Sequence, residues 1–413
     1  MKKASKKLLL ALAFVLAMGM MVLAGCGGSG GSGGTEESTE APDTGAAAIE
    51  ACNKAIEAIQ VQERTEETDA QCVAAKEAYD ALTNEQKDQL EDPDYFGLDT
   101  GDPDADDPLN QDEIGDNELL VVSFGTSFND SRAADIGGVE KALAKAYPDW
   151  DVRRAFTAQI IINHIQARDD VKIDNMEQAL NRAVKNEVKN LVIQPTHLMH
   201  GAEYDEMKAA VDAVKDKFDS VEIAEPLLGP VGATETETNA DKKATLEAAV
   251  AETVKIAEED SLDAMAENKK AIVFMGHGTG HEASITYSQM QAQAEELGYK
   301  NVFIGTVEGI PESSSLPEVK KAVEEAGYTS IILRPLMVVA GDHANNDMAS
   351  EEEGSWFYGL ANGGEFEVEG ADAPVDIGKG FGAENVGSQV EGLGRIEGIQ
   401  QIYIDHAGAV INK

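Results

Sequence analysis

Positive charge is scarce beside negative charge in this sequence: 33 lysines and arginines stand against 76 aspartates and glutamates, for a net charge of −43. Such a surface repels polyanions, which excludes nucleic acid as a main partner. Cysteine is scarce as well, with three in 413 residues. Cys26 falls in the leader described next, which leaves Cys52 and Cys72 in a stretch that reads as helical. Either a disulfide between antiparallel helices or two buried thiols fits that pair. The apolar run from Leu8 to Ala24 follows Lys2, Lys3, Lys6 and Lys7 and ends in small residues. A basic start, a short apolar stretch and a small-residue end make a secretory signal, not a membrane span of the folded protein.

Leu23-Ala24-Gly25-Cys26 resembles the lipobox of bacterial lipoproteins. That resemblance implies a signal peptide over residues 1–25 and a lipidated Cys26. The chain would then be exported and anchored to the outer face of the cytoplasmic membrane. Loss of the four signal lysines takes the charge to 29 − 76 = −47. Residues 26–45 are glycine- and serine-rich and then acidic, a flexible tether. In residues 46–92 the spacing of Ile56, Ile59, Val73, Ala74, Tyr79, Leu82 and Leu90 predicts two short amphipathic helices. The stretch 78–87 resembles helical spacer modules of bacterial surface proteins, so 46–92 reads as a spacer without chemistry. Residues 93–116, rich in Asp, Pro and Gly, read as an acidic linker.

From residue 117 the pattern changes. Apolar runs at 119–122, 152–156, 191–194, 221–224, 271–275, 302–306 and 331–333 alternate with helical patterns, notably at 133–146, 176–188 and 203–218. This predicts an α/β fold whose parallel sheets are flanked by helices. An internal repeat divides it: Leu191-Val192-Ile193-Gln194-Pro195 with Gly201 matches Ile331-Ile332-Leu333-Arg334-Pro335 with Gly341, and Phe124-Gly125-Thr126 matches His277-Gly278-Thr279. Two duplicated halves, 117–235 and 270–413, are expected around a helical connection at 236–269. Their cleft should lie at the carboxyl ends of the strands.

Three of the seven histidines, His197, His277 and His343, follow strands at that cleft. Neutral imidazole is the commonest metal ligand. His277 lies between glycines, which lets backbone and substrate approach its ring. His343 stands in Gly341-Asp342-His343-Ala344-Asn345-Asn346-Asp347, where Asp342 or Asp347 could orient the imidazole. The repeat places Glu203 opposite His343, and Glu308 follows another strand. Either carboxylate could bind metal or accept protons. Arg132, Arg153, Arg154 and Arg334 fall near strand ends, where they could meet substrate carboxylates or form surface pairs. His164 and His406 read as ordinary helix and surface residues.

Val122-Ser123-Phe124-Gly125-Thr126-Ser127, Arg154-Ala155-Phe156-Thr157, Phe274-Met275-Gly276-His277-Gly278 and the long block from Pro335 to Ser350 resemble the anaerobic sirohydrochlorin cobaltochelatases, the class II tetrapyrrole chelatases. The resemblance implies ATP-independent insertion of a divalent metal, Co²⁺ before Fe²⁺ or Ni²⁺, into a sirohydrochlorin-like tetrapyrrole for cobalamin synthesis, with no nucleotide. It carries the metal-binding histidines onto His277 and His343 and the acidic cleft residues onto Glu308, ranked first, and Glu203. His197, His200, Arg154, Ser123 and Thr126 are the expected contacts of the macrocycle. The expanded 233–239 region and the glycine-rich stretch 363–394 depart from the family pattern. A second reading keeps the cleft without turnover: an exported lipoprotein that binds metal or metallotetrapyrrole and hands it to a transporter. A homo-oligomer is compatible with both.

Overall fold

The seven runs that are apolar in sequence form parallel strands, most of them buried, while the edge strand at 220–223 is only partly covered. The computed structural model describes residues 44–368 and 373–412. The proposed signal peptide, Cys26 and nearly all of the tether lie outside the described residues. In the first half, β1 (Asn117–Ser123), β2 (Asp151–Phe156), β3 (Asn190–Pro195) and β4 (Ser220–Ile223) form a parallel sheet in the order β2-β1-β3-β4. The second half has β5 (Lys270–Gly276), β6 (Val302–Thr306) and β7 (Ser330–Pro335). An antiparallel hairpin of β8 (Gly363–Phe366) and β9 (Val375–Lys379) follows, then β10 (Val386–Ser388). The second sheet runs β10-β7-β5-β6, all parallel. Read from its other edge, this repeats the first order strand for strand, with β5, β6, β7 and β10 in the places of β1, β2, β3 and β4. In both sheets the order reverses beside the first strand, and open sheets keep their ligands at such a point.

Helices Ala240–Ile256 and Leu262–Glu267 occupy the connection between the halves. One apolar core containing Leu119, Leu246, Ile272, Phe274 and Tyr403 runs through both halves, so neither sheet is an independent layer. The glycine-rich stretch, which carries no strand pattern in sequence, forms the hairpin and β10. Positive φ at Gly363, Gly364, Gly378 and Gly382 accounts for much of that composition. Among the described residues no helix is long and apolar enough to cross a membrane.

The segments expected to stand apart as spacer and linker instead pack on the first half. Helices Thr44–Glu57 and Thr68–Asp80 bury Cys52, Ile56, Ile59, Cys72, Tyr79, Tyr95 and Phe96 together with Ala167 of helix Gln159–Asp169. Asn163 donates to the Ile59 carbonyl at 2.9 Å, and Gln62 caps that helix by accepting the Gln159 amide N–H at 2.8 Å. Both cysteines are free and buried, which answers the question their spacing left open. The acidic segment is drawn in by its charge, because Asp106 lies between the buried guanidinium groups of Arg132 and Arg154.

His164 is part of this interface and not an ordinary helix residue. Its ring stacks on Tyr95 with centroids 4.2 Å apart, and its Nε2 lies 2.6 Å from the Tyr95 carbonyl. Burial, helped by the charge of Arg168, lowers its pKa from 6.5 to about 4. The stabilisation from keeping this ring neutral is therefore complete above about pH 6.5 and lost as pH falls towards 4, about 3 kcal/mol at the limit. His197, also lowered to about 4 by burial, titrates in the same window. Denaturant midpoints should fall from pH 7 to pH 4.5, and His164→Phe, which keeps the stacking, should make that fall smaller. An unchanged slope in the variant would remove His164 from the account.

Candidate metal and macrocycle site

The loops at the carboxyl ends of both sheets meet. His281 Nε2 lies 3.5 Å from Asp205 Oδ2 of the first half, and a Cβ added to Gly341 would lie 3.1 Å from Thr126 Oγ1. His277 leaves β5 in a turn that only glycines allow. A Cβ at Gly276 would lie 2.3 Å from the Tyr287 ring. At Gly278, where φ is +95°, a Cβ would lie 2.8 Å from Glu308 Cβ. The same close approach brings Glu308 Oε1 to 3.5 Å from His277 Nδ1, and the Glu308 amide donates to the His277 carbonyl at 2.9 Å.

His343 opens the π-helical turn His343–Met348, and its Nδ1 lies 2.6 Å from Asp347 Oδ2. Asp347 is thus the carboxylate that orients the imidazole, while Asp342 is held by Asn346 at 2.6 Å. A proton on Nδ1 shared with Asp347 leaves Nε2 with its lone pair free for a metal. Burial alone would lower the His343 pKa. The hydrogen bond and charge of Asp347, with Asp342 and Glu308 behind it, raise it above the ordinary value. The His277 and His343 rings lie edge to face with centroids 4.3 Å apart and planes 77° apart. Asp342, His343 and Asp347 also offer ligand atoms within 4.8 Å of one another, a competing arrangement for a cation.

Other expected site residues fall in varied places. Glu203 is exposed on the first turn of helix Ala202–Val214, and its charge reaches both His197 and Tyr287. His197 has both ring nitrogens buried without a hydrogen-bond partner. His200 is engaged elsewhere, 3.1 Å from Glu225 and edge-on to Tyr204. Ser123 and Thr126 are buried, and their hydroxyls accept the amides of Gly125 and Phe128, each at 3.2 Å, which shapes the loop after β1. Arg154, expected to contact the macrocycle, is instead buried: it donates to Glu140 at 2.7 Å and to Asp106 at 2.6 and 2.8 Å, so it has no reach to a substrate. Arg132, Arg153 and Arg334 are buried too. His406, expected at the surface, lies between the Glu225 carbonyl at 3.1 Å and Asp241 at 3.2 Å with its side chain 10% exposed.

Tyr287 is the functional neighbour that the sequence did not reveal. Its hydroxyl accepts the Gly278 amide at 3.2 Å and so braces the His277 turn. Burial pushes that hydroxyl up to about 12, and the charges of Glu308 and Glu203 act in the same direction. Nothing in the pattern of helix Ile285–Glu296 marks one tyrosine for this place.

A family model described as cobalt chelatase (CbiK) matches residues 117–412. The chain is 33% identical over 238 residues to the sirohydrochlorin cobaltochelatase of Salmonella typhimurium, covering 58% of this chain and 82% of the relative. It is 27% identical over 296 residues to the sirohydrochlorin cobaltochelatase CbiKC of Nitratidesulfovibrio vulgaris, covering 71% and 90%.

Proposed function

The chain belongs to the cobalt chelatase family, and from that premise we propose that it inserts Co²⁺ into a sirohydrochlorin-like tetrapyrrole without a nucleotide. The observation that carries this reading is the facing pair His277 and His343 with Glu308 beside it. In the reaction a divalent ion enters and two pyrrole N–H protons leave. The free imidazole nitrogens hold the ion, and Glu308 supplies an oxygen ligand or takes the first proton. Glu203, exposed on the opposite half, can pass protons to solvent. His197, neutral and unpartnered, and Phe124, 44% exposed just after β1, offer contacts to the ring system. Imidazole and carboxylate suit Co²⁺, Ni²⁺ and Fe²⁺ alike, so the ligand set alone does not choose cobalt. Mixing the chain with sirohydrochlorin and Co²⁺, with no nucleotide present, should convert the absorbance of the free macrocycle to that of the metal complex faster than buffer does. A rate equal to buffer would overturn the reading.

The loops at residues 123–131, 195–207, 277–283, 306–315 and 336–356 contain no Lys or Arg but include Glu203, Asp205, Glu308, Asp342 and Asp347. An anionic rim attracts the cation and repels a macrocycle rich in carboxylates. Raising ionic strength from about 0.01 to 0.3 M should therefore lower KM for sirohydrochlorin and raise KM for Co²⁺. Parallel changes in both constants would contradict this picture.

The lipobox-like Leu23-Ala24-Gly25-Cys26 supports export and anchoring through a lipidated Cys26. In cells fed a labelled fatty acid, the chain should incorporate label and Cys26→Ser should not. Equal labelling would refute the anchor.

A further inference from the structure

His343 is held in place from the other half of the molecule. Its stem, residues 336–341, runs from the end of β7 to the Gly341 carbonyl. That carbonyl accepts the Asn345 amide at 3.2 Å and its side-chain NH₂ at 2.8 Å, which closes the turn bearing His343. Asp135 lies in the π-helical turn Arg132–Ile136 of the first half and is completely buried. Its Oδ2 accepts the Ala340 amide N–H at 3.0 Å, and its Oδ1 accepts Arg395 Nε–H at 2.5 Å.

A strap from the C-terminal region completes the clasp: Leu393 and Gly394 donate to the carbonyls of Met337 and Val338 at 2.9 and 2.8 Å. There is no room to spare. A Cβ on Gly392 would lie 2.3 Å from Asp135 Oδ2 and 2.5 Å from the Val338 carbonyl, and one on Gly394 would lie 2.5 Å from the Asp135 carbonyl. The His277 and Glu308 turn, by contrast, is set by β5, β6 and Tyr287.

We propose that Asp135 is a positioning residue of the metal site: by tying the Ala340 amide to the first half, it sets how His343 approaches His277. The proposal rests on the reading that these two imidazoles share the metal. The partners of Asp135, the backbone amides of Ala340 and Gly392 and the guanidinium of Arg395, are all donors, and a carboxylate satisfies them. A carboxamide has one acceptor oxygen and would turn its NH₂ against a donor. The stem would then relax, and a site that tolerates about 0.5 Å of misplacement would loosen.

The test uses the full chain titrated with Co²⁺ alone and followed by the visible ligand-field bands, beside insertion kinetics. Asp135→Asn should shift those bands, weaken Co²⁺ binding by about ten- to a hundredfold, and raise KM for Co²⁺ more than it lowers kcat. Gly392→Ala, which crowds the clasp from its other side, should do the same and decides the matter should Asp135→Asn not fold. Asp174→Asn, which disturbs another buried carboxylate of the same half, bonded to Arg153 at 3.0 Å and Arg182 at 2.7 Å, should lower stability and leave the bands unchanged. Wild-type bands and affinity in folded Asp135→Asn or Gly392→Ala would overturn the proposal while the metal-pair reading stands. Co²⁺ bands that persist unchanged in a His277→Ala, His343→Ala double variant would overturn that reading and this inference with it.

Discussion

His343→Ala should lower kcat/KM for cobalt insertion by about a thousandfold, equivalent to about 4 kcal/mol of lost transition-state stabilisation. Removing a partner that only orients a ligand costs about ten- to a hundredfold, so loss of the ligand itself should cost more. Asp347→Asn, which keeps the imidazole but loses the carboxylate at 2.6 Å, should fall in that smaller range. His277→Ala should match His343→Ala, because each leaves a single imidazole beside a carboxylate. The side chains of His277 and His343 are 45% and 41% exposed, so neither change removes much core packing and the unfolding transition should barely move. Steady-state insertion assays with a denaturation control check this. A loss below about tenfold for either histidine would place the metal elsewhere.

Arg154→Ala should destabilise the fold by about 3–5 kcal/mol without changing metal binding by the folded fraction. Arg154 is 1% exposed and holds Glu140 and Asp106 through four short hydrogen bonds, and Asp106 also accepts from Arg132 at 2.7 Å. Removing the guanidinium leaves Glu140 buried and unpaired, and its carboxyl is already pushed up by burial. Neutralising the pair with Glu140→Gln and Arg154→Met, which leaves Asp106 with its second partner Arg132 at 2.7 Å, should recover much of the loss, because the penalty comes from the stranded charges. Urea denaturation measures both. A single-variant effect under about 1 kcal/mol would mean that water relieves the pair.

The sheets were legible because strands covered on both faces become continuous apolar runs, as at Leu119-Leu120-Val121-Val122. The offset between Leu191–Pro195 and Ile331–Pro335 marks β3 and β7, and the strand orders repeat accordingly. His277, Glu308 and His343 could be singled out because each follows a strand that ends at the same edge. Arg154 misled because a charged residue in a strand looks like a ligand for something. Its partner Asp106 lies in a segment whose Asp, Pro and Gly content reads as linker, and composition does not reveal a specific long-range ion pair. The apolar positions of residues 46–92 were visible, but not the face of helix Gln159–Asp169 that they cover. The family match begins at residue 117, so this packed N-terminal module lies outside it. Asp135 and Tyr287 act through distances that no periodicity encodes.

The central claim is that His277 and His343 share one ion, and a crystal structure of the chain loaded with Co²⁺, with anomalous data at the cobalt edge, tests it most directly. The account predicts a single strong peak between the two rings, with one nitrogen of each about 2.0–2.2 Å from cobalt by analogy with zinc and a Glu308 oxygen completing the set. A peak bound by Asp342, His343 and Asp347 with His277 turned away would contradict it.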